Sequence, residues 1–404
     1  MDPLEIMSDL ENVFPYFQPI FSADEHRIIG YEVLARYKVD EKVESLGPFF
    51  LDDSIPEDYR MEVDDVILIK ALEKALTLDP DVLLFINRDA DLLVNQDSEH
   101  LLGILLEFEK KGISLDRIVI EISQRFPYGD FSHLDHFINY YRTYGIKIAI
   151  DNLGKESSYL DRIGQLSPNI LKIDLQALRS SAVNHNYQEI LYSLSMLARK
   201  IGATLLFENI EMEYQLQFAW RNGGRYYQGA YLNGPEEEFV ERDILKQKLK
   251  DKCHQFISYE KRKLSSLYMI TERFNDTMTD FLIKNRKSSE SQNFLPALSQ
   301  ALDDAAFRLY ICNDNGFQLS PNIFKGSGQW VVQNEYLDKN WSWRPYFLEN
   351  IMRMKNNKKG ILSDLYTDIE TGESIRTFSY PLNETDYLFV DLAYHFLYEH
   401  DALL

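Results

Sequence analysis

Val82-Leu83-Leu84-Phe85-Ile86-Asn87 is a short apolar run that ends in a polar side chain. Because successive positions are apolar, both faces of the corresponding strand would be buried, which is typical of a parallel sheet covered by helices. Comparable runs follow along the chain, at residues 118–121, 146–151, 170–174, 204–208 and 226–229. Amphipathic helical stretches separate them. This many strand–helix units predicts an α/β fold with a TIM-like barrel rather than an open sheet.

Five of these runs end in a side chain that binds metals or transfers protons. The residues are Asn87, Glu121, Asp151, Asp174 and Glu208. A turn or a helix cap explains any one of them, but five in succession indicate a shared role. In a TIM-like barrel the carboxyl ends of the strands meet at one mouth, where active sites lie.

Upstream of these runs, the segments 17–20 and 30–36 flank a polar turn, Ser22-Ala23-Asp24-Glu25, and predict a hairpin. Glu32 and Arg36 lie four residues apart in its second strand, so that one end of this strand carries a carboxylate and a guanidinium. That pair suits a cation and a phosphate. The next segment predicts a helix over residues 59–77, whose apolar positions fall on one face.

Together these segments form seven short motifs in a fixed order. They are Glu32-Val33-Leu34, Phe85-Ile86-Asn87, Ile120-Glu121-Ile122-Ser123, Ile150-Asp151-Asn152-Leu153-Gly154, Leu171-Lys172-Ile173-Asp174, Phe207-Glu208-Asn209-Ile210-Glu211 and Tyr227-Gln228-Gly229. Across roughly residues 10 to 240, the set resembles the EAL-domain family of bacterial cyclic-di-GMP (c-di-GMP) signalling. Glu32-Val33-Leu34 stands where the family has Glu-Ala-Leu.

The resemblance implies a metal site and a ligand site. The implied metal ligands are Glu32, Asn87, Glu121 and Asp151. Three carboxylates and an amide oxygen suit Mg²⁺, Mn²⁺ or Ca²⁺ rather than zinc. By the same resemblance, Glu208 is the general base and Lys172 contacts the attacking water or the phosphate. The implied contacts to c-di-GMP are Gln18, Glu32, Leu34, Arg36, Asp174, Glu211 and Gln228.

Four positions depart from the family pattern. Gln124 and Asn152 stand where active members carry carboxylates, and Glu156 and Asn209 replace glycines. Since a weakened second metal site could cost about a thousandfold in rate, we expect c-di-GMP binding with weak or absent phosphodiesterase activity. Two alternatives remain, an active phosphodiesterase and a protein-interaction domain without ligand. Retention of all four oxygen ligands argues against the second alternative.

Composition limits the partners and the compartment. The 404 residues include 43 Lys and Arg against 64 Asp and Glu, a formal net charge of −21, which disfavours nucleic-acid polymers and anionic membranes. The two cysteines have no metal-ligand spacing, and no apolar run approaches the roughly 18 residues that span a bilayer. We therefore expect a cytoplasmic protein without a membrane segment.

The chain beyond the barrel predicts two further parts. In residues 251–287 a heptad seam is formed by Ile257, Leu264, Thr271 and Met278, with Leu267, Phe274 and Phe281 at the alternate spacing. This indicates either a helix packed on the protein's own barrel or on the next domain, or a parallel homodimer. The remainder resembles PAS-like and Cache-like α+β sensor domains, with Arg344 and Asp391 as a hypothetical clamp for a small-molecule ligand. The predicted boundaries are 1–248 for the EAL domain, 249–290 for a helical linker and 291–404 for the sensor domain.

Overall fold

The computed structural model describes residues 2–39, 42–90, 93, 98–122, 131–153, 160–179, 185–285, 294–344 and 347–403. The chain forms two compact units, Met1–His254 and Gln255–Leu404. No helix in the described part of the chain is long and apolar enough to cross a membrane.

A closed barrel of eight strands forms the first unit. The strands are β1 (Val13–Ser22), β2 (Ile28–Val39), β4 (Leu83–Arg88), β5 (Ile118–Ile122), β6 (Lys147–Leu153), β7 (Ile170–Asp174), β8 (Thr204–Glu208) and β9 (Tyr226–Tyr227), and β3 (Lys42–Ser45) pairs with β2 at the edge. β1 is antiparallel to its neighbours β2 and β9, and the other barrel strands are parallel. The predicted TIM-like barrel and its opening hairpin are therefore confirmed.

One helix precedes the barrel, and the others lie between its successive strands. Those described are α1 (Pro3–Ser8), α2 (Gly47–Leu51), α3 (Glu57–Ala75), α4 (Ser98–Lys111), α5 (Phe131–Thr143), α6 (Leu160–Leu166), α7 (His185–Ile201) and α8 (Glu213–Arg221). The predicted helix over 59–77 corresponds to α3. Its buried residues Val63, Ile67, Ala71 and Ala75 recur every four positions, which gives the helix one apolar face toward the barrel.

Apolar side chains from successive strands fill the lower part of the barrel. The cluster contains Ile20, Ile29, Phe85, Val119, Ala149, Ile170 and Leu206. Gly30 permits this packing, because a Cβ there would lie 3.0 Å from the Phe85 ring and 2.9 Å from the Leu83 carbonyl oxygen. The filled layer closes the barrel below and leaves its upper end for polar side chains.

The second unit is an α+β arrangement. Its elements are α9 (Lys246–Lys284, which begins in the first unit), α10 (Phe294–Ala301), β10 (Ala306–Asn313), β11 (Asn322–Gly326), β12 (Gln329–Gln333), α11 (Phe347–Asn357), β13 (Ile361–Leu362), β14 (Tyr366–Thr367), β15 (Ser374–Ile375), β16 (Thr377–Pro381), β17 (Asp386–Leu392) and α12 (Tyr394–Glu399). Six strands form one sheet in the order β12-β11-β10-β17-β16-β13, as expected for an α+β domain.

The second half of the α9 seam is packed, and its first half is exposed. Phe274 and Met278 lie in the hydrophobic core of the second unit, and Leu267 and Phe281 pack against that core. Phe274 stacks on Phe378 of the sheet at a centroid distance of 5.2 Å. Ile257 and Leu264, earlier on the same seam, are exposed. The second half of the seam thus packs within its own chain.

Candidate functional site

The polar residues of the barrel lie one layer above its apolar core. Each follows a core residue by two positions, and side chains two apart on a strand point to the same face. The pairs are Phe85 and Asn87, Val119 and Glu121, Ala149 and Asp151, Ile170 and Lys172, and Leu206 and Glu208. Strand register aligns them further, since Asn87 lies opposite Glu121 and Asp174 opposite Glu208.

The Lys172 ammonium lies at the centre of this layer. Its Nζ is 2.9 Å from Glu32 Oε2, 2.8 Å from Glu121 Oε1, 3.4 Å from Asp151 Oδ1 and 3.5 Å from Glu208 Oε2, and the lysine is fully buried. Four carboxylates from four strands therefore surround one ammonium, a formal excess of three negative charges. One lysine does not neutralise this cluster.

A local irregularity brings Asp151 into contact with Lys172. β6 pairs with β7 through Ile150 and Leu171, then through Leu153 and Ile173, so β6 carries one residue more than its partner over this interval. Such bulges re-aim side chains and are frequent beside functional sites. Here the extra residue falls at Asp151 and Asn152; the side chain of Asn152 lies outside the described residues.

Glu32 is held more firmly than the other carboxylates. Gln228 Nε2 donates to its Oε2 at 2.5 Å, and Asn87 Nδ2 donates to its Oε1 at 3.0 Å. Burial opposes ionisation, but the Lys172 charge and these hydrogen bonds hold the pKa of Glu32 below its ordinary value. Glu32 is therefore an ionised anchor of the site.

Glu121 and Glu208 have the opposite electrostatic environment. Burial, reinforced by the charge of Glu32 for Glu121 and of Asp151 for Glu208, raises the pKa of both well above the ordinary value. Glu121 Oε2 and Glu208 Oε1 are buried and accept no hydrogen bond from the described residues. Buried acceptors of this kind lack compensation within the protein, so the site has oxygen atoms to receive a cation, whose charge would favour ionisation of both carboxyls.

The side chains are arranged around the ammonium and not around a metal position. Among the described residues, no three His, Cys, Asp or Glu side chains are spaced as ligands of one ion. The Asn87 amide presents its nitrogen to Glu32, and its Oδ1 would have to turn to become a ligand. Oxygen and nitrogen of an amide exchange places by a simple flip.

An open cavity of 320 Å³ adjoins the carboxylate cluster. Glu32, Asn87 and Asp151 line one part of it, and Leu34 and Arg36 line another, so predicted metal and ligand residues share one space. The guanidinium of Arg36 lies over the Tyr16 ring, 5.3 Å from its centroid, and its Nη1 donates to the Ala35 carbonyl oxygen at 2.9 Å.

The remaining predicted residues lie near the mouth but do not line this cavity. Gln18 pairs with Glu32 in the hairpin and donates to the Asn233 carbonyl oxygen at 3.4 Å. Asp174 is buried and accepts from the Gln176 amide at 2.6 Å. The Glu211 amide donates to Gln215 Oε1 at 2.7 Å.

Sequence reasoning missed three side chains at this end of the barrel. Arg60 and Arg88 line the cavity, and Arg88 forms an ion pair with Asp64. The fully buried Gln215 accepts from the Glu211 and Met212 amides and donates to the Leu175 carbonyl oxygen at 2.8 Å, which joins the loops after β7 and β8. A glutamine at the third position of a helix is a recognisable capping signal.

The positions that depart from the family pattern are described only in part. Gln124 and Glu156 lie outside the described residues. Asn209 has φ of 56°, in the left-handed region that glycine adopts freely and asparagine tolerates better than most residues. The substitution after Glu208 therefore keeps a backbone conformation that suits glycine.

The aromatic segment of the second unit encloses little space. Arg344 lies over Trp341 at 4.5 Å, and the cavity that these two side chains line with Tyr310 is only 10 Å³, about the size of one water. Asp391 accepts from Arg308 at 3.1 Å and from Thr377 at 2.6 Å. The Arg344–Asp391 clamp stays a prediction, and Asp391 already has these other partners.

Barrel topology, the seven ordered motifs and the carboxylate layer define the class of protein. An EAL domain model matches residues 4–235, and a model described as an EAL-domain associated signalling protein domain, YkuI_C, matches residues 239–404. The chain belongs to the EAL-domain family, as its sequence motifs predicted.

Among individual proteins, the chain is 54% identical over 406 residues to the uncharacterized EAL-domain containing protein YkuI of Bacillus subtilis, covering 100% of both chains. A crystal structure of YkuI in complex with substrate c-di-GMP and calcium matches with a TM-score of 0.95 over 100% of both chains. An EAL domain protein of Listeria monocytogenes matches with a TM-score of 0.51 and 22% identity, covering 59% of this chain and 94% of that one. The probable c-di-GMP phosphodiesterase PdeG of Escherichia coli is 24% identical over 238 residues, 55% of this chain and 44% of PdeG.

Proposed function

We propose that the protein is a cytoplasmic c-di-GMP-binding signalling protein with a divalent-cation site, and that its phosphodiesterase activity is weak or absent. The observation that carries the proposal is the cluster of four carboxylates around Lys172 beside the cavity that contains Arg36. The complex of the homologous YkuI with c-di-GMP and calcium supports both ligands.

The residues present fit a divalent cation. Glu32, Asn87, Glu121 and Asp151 would hold it through oxygen atoms, the donor set of Mg²⁺, Mn²⁺ and Ca²⁺. The two positive charges of the cation would offset most of the negative charge of the cluster that Lys172 does not neutralise. Bound there, the cation would supply charge to a phosphoryl oxygen and acidify water. We favour Mg²⁺ as the cation in the cell, with Mn²⁺ and Ca²⁺ as substitutes.

The chain's own groups divide the remaining work. Arg36 would bind a phosphate, for which a guanidinium is suited by its paired donors. Gln18 would contact a guanine, Leu34 would contact the ligand from the wall of the cavity, and Gln228 would keep Glu32 ionised and in position. Asp174 and Glu211 would complete the rim of the ligand site.

Glu208 and Lys172 would act on the attacking water. Glu208 Oε1 accepts no hydrogen bond from the described residues, which leaves it as a proton acceptor. Lys172 would orient that water or the phosphate. The amide Asn152, in place of a carboxylate, lowers the negative charge available for a second metal. Gln124 lacks the charge that braces the loop after β6 in active family members, and for these two reasons we expect little turnover.

Calorimetric titration of c-di-GMP into protein with Ca²⁺ tests the binding half of the proposal. Arg36→Gln should weaken binding by about ten- to a hundredfold, the value of a charged hydrogen bond. Lys38→Gln is the matched control, because Lys38 is an exposed cation on the same strand β2 and does not line the cavity. Absence of c-di-GMP binding, or equal affinity in the two variants, would contradict the proposed site.

Chromatography of c-di-GMP incubated with the protein and Mg²⁺ or Mn²⁺ tests the activity half. We expect little conversion to the linear dinucleotide over hours. Rapid conversion would establish an active phosphodiesterase instead. A protein that binds neither cation nor c-di-GMP would be an interaction domain. Homodimer formation, the compartment and a small-molecule ligand of the second unit stay predictions.

A further inference from the structure

An open groove of 490 Å³ lies within the second unit, between α9 and the C-terminal residues His400 and Ala402. We call it the basic groove and define it by Tyr259, Arg262, Ser266, Met269, Arg273 and His400. Lys263 also lines it, and none of the described lining residues is Asp or Glu. In a chain with 64 acidic and 43 basic residues, a groove whose charged lining residues are all basic is a local reversal of charge.

Two arginines mark the ends of one stripe of the groove. Arg262, Ser266, Met269 and Arg273 follow the spacing i, i+4, i+7, i+11 on α9, so they lie on one helical face. Eleven residues of helix separate the two arginines by about 16 Å along the axis. Neither guanidinium forms an ion pair with a residue that the structure describes.

The helix itself supplies no counter-charge for Arg262. Residues three and four positions away on a helix are its neighbours, and for Arg262 these are Ser258, Tyr259, Ser265 and Ser266. Further along α9, the exposed Glu272 pairs with Lys359 at 2.7 Å and is not a partner of Arg262. The charge of Arg262 is therefore available to a ligand.

The groove also contains side chains that can pack against the aromatic base of a ligand. Tyr259 and Met269 are 41% and 59% exposed, and both aromatic rings and thioethers pack favourably against aromatic ligands. His400 Nδ1 lies 2.9 Å from the Phe396 carbonyl oxygen. Because a carbonyl oxygen only accepts, Nδ1 carries the proton, and Nε2 is the ring nitrogen left to meet a ligand.

We propose that the basic groove binds a phosphorylated, nucleotide-sized anion, with its phosphate on Arg262 or Arg273 and its base against Tyr259 and Met269. The volume falls in the range of small-molecule sites, about 300–1,000 Å³. The net charge of −21 repels a nucleic-acid polymer, which favours a small anion. The groove lies wholly within Gln255–Leu404, so this inference does not rest on the function proposed for the barrel.

Calorimetry of the full chain at low salt tests the proposal with three probes: AMP, adenosine and pyrophosphate. We expect AMP to bind most tightly, pyrophosphate more weakly and adenosine not measurably. The double variant Arg262→Gln/Arg273→Gln should weaken AMP binding by about tenfold or more, the loss of at least one charged contact. The control Lys250→Gln/Lys261→Gln removes the same charge from exposed positions of α9 outside the groove and should bind as the parent does.

A second pair of variants keeps both arginines. Ser266→Glu adds a carboxylate between them and should abolish AMP binding, whereas Ser266→Gln, of similar size, should retain it. Binding that survives both the arginine double variant and Ser266→Glu would overturn the proposal, as would failure of AMP to bind at millimolar concentration. Loss of AMP binding in Arg36→Gln but not in the groove variants would place the nucleotide in the barrel and would also overturn it.

Discussion

Replacing Lys172 by methionine removes the charge that holds the carboxylate cluster together and keeps a similar volume. Each of its four contacts, at 2.8–3.5 Å, represents a gross attraction of about 5 kcal/mol at an effective dielectric constant near 20 when the carboxyl is ionised. Desolvation of the buried charges cancels much of this sum. Since removal of one partner of a buried ion pair typically costs about 3–5 kcal/mol, we expect the variant to lose about that much unfolding free energy in EDTA.

Calcium should distinguish this explanation from simple loss of packing. Without Lys172 the cluster is more negative, so Ca²⁺ should stabilise Lys172→Met by a larger free energy than it stabilises the parent. Mass action gives about 2.7 kcal/mol when the ligand is at a hundred times its dissociation constant. Urea unfolding, followed by circular dichroism in EDTA and in Ca²⁺, measures both effects.

Lys70→Met is the matched control. The Lys70 ammonium donates to the carbonyl oxygens of Val13 at 2.6 Å and Glu11 at 3.0 Å, not to carboxylates. Its replacement should cost about 1–2 kcal/mol, equally in EDTA and in Ca²⁺. The electrostatic reasoning is refuted if Lys172→Met is as stable as the parent in EDTA, or if Ca²⁺ stabilises both proteins equally.

Three further outcomes are expected. Asn152→Asp, which restores a carboxylate of the family motif, should raise c-di-GMP hydrolysis with Mn²⁺ by about tenfold, the effect of about 1.4 kcal/mol at the transition state; an unchanged rate in a chromatographic assay would contradict this. Arg308→Met should cost about 3–5 kcal/mol in urea unfolding, because it leaves the buried Asp368 and Asp391 without their shared cation. Gly229→Ala should cost about 3 kcal/mol and weaken c-di-GMP binding in calorimetry, since a Cβ would overlap the Ile210 backbone beside Gln228; wild-type stability would disprove the steric reasoning.

The local sequence pattern was sufficient to predict the barrel and the types of residue that lie at its mouth. Apolar runs such as 82–86 specify a strand buried on both faces, and this depends only on neighbouring residues. Because side chains alternate between the two faces of a strand, Asn87 lies on the same face as Phe85, and Glu121 lies on the same face as Val119. The proposed ligand came from the family motifs.

The seam of α9 shows where local pattern is ambiguous. Its heptad spacing predicts an apolar partner but does not identify it. The structure pairs Phe274 and Met278 with the sheet of the second unit and leaves Ile257 and Leu264 exposed. The basic groove was likewise absent from the sequence interpretation, because His400 lies far along the chain from Arg262 and Arg273.

The sequence by itself determined the strands, the inward-facing residues and the family. Only the tertiary structure decided that one ammonium, Lys172, meets Glu32, Glu121, Asp151 and Glu208 at once. Glu32 and Lys172 are separated by 140 positions in the chain, and their contact requires the barrel to close through the pairing of β1 with β2 and β9. The alternation of apolar and polar residues along a strand depends only on residues that are close in the sequence. The balance between the Lys172 charge and the four carboxylates depends on distances between strands, and these distances are set only when the barrel closes.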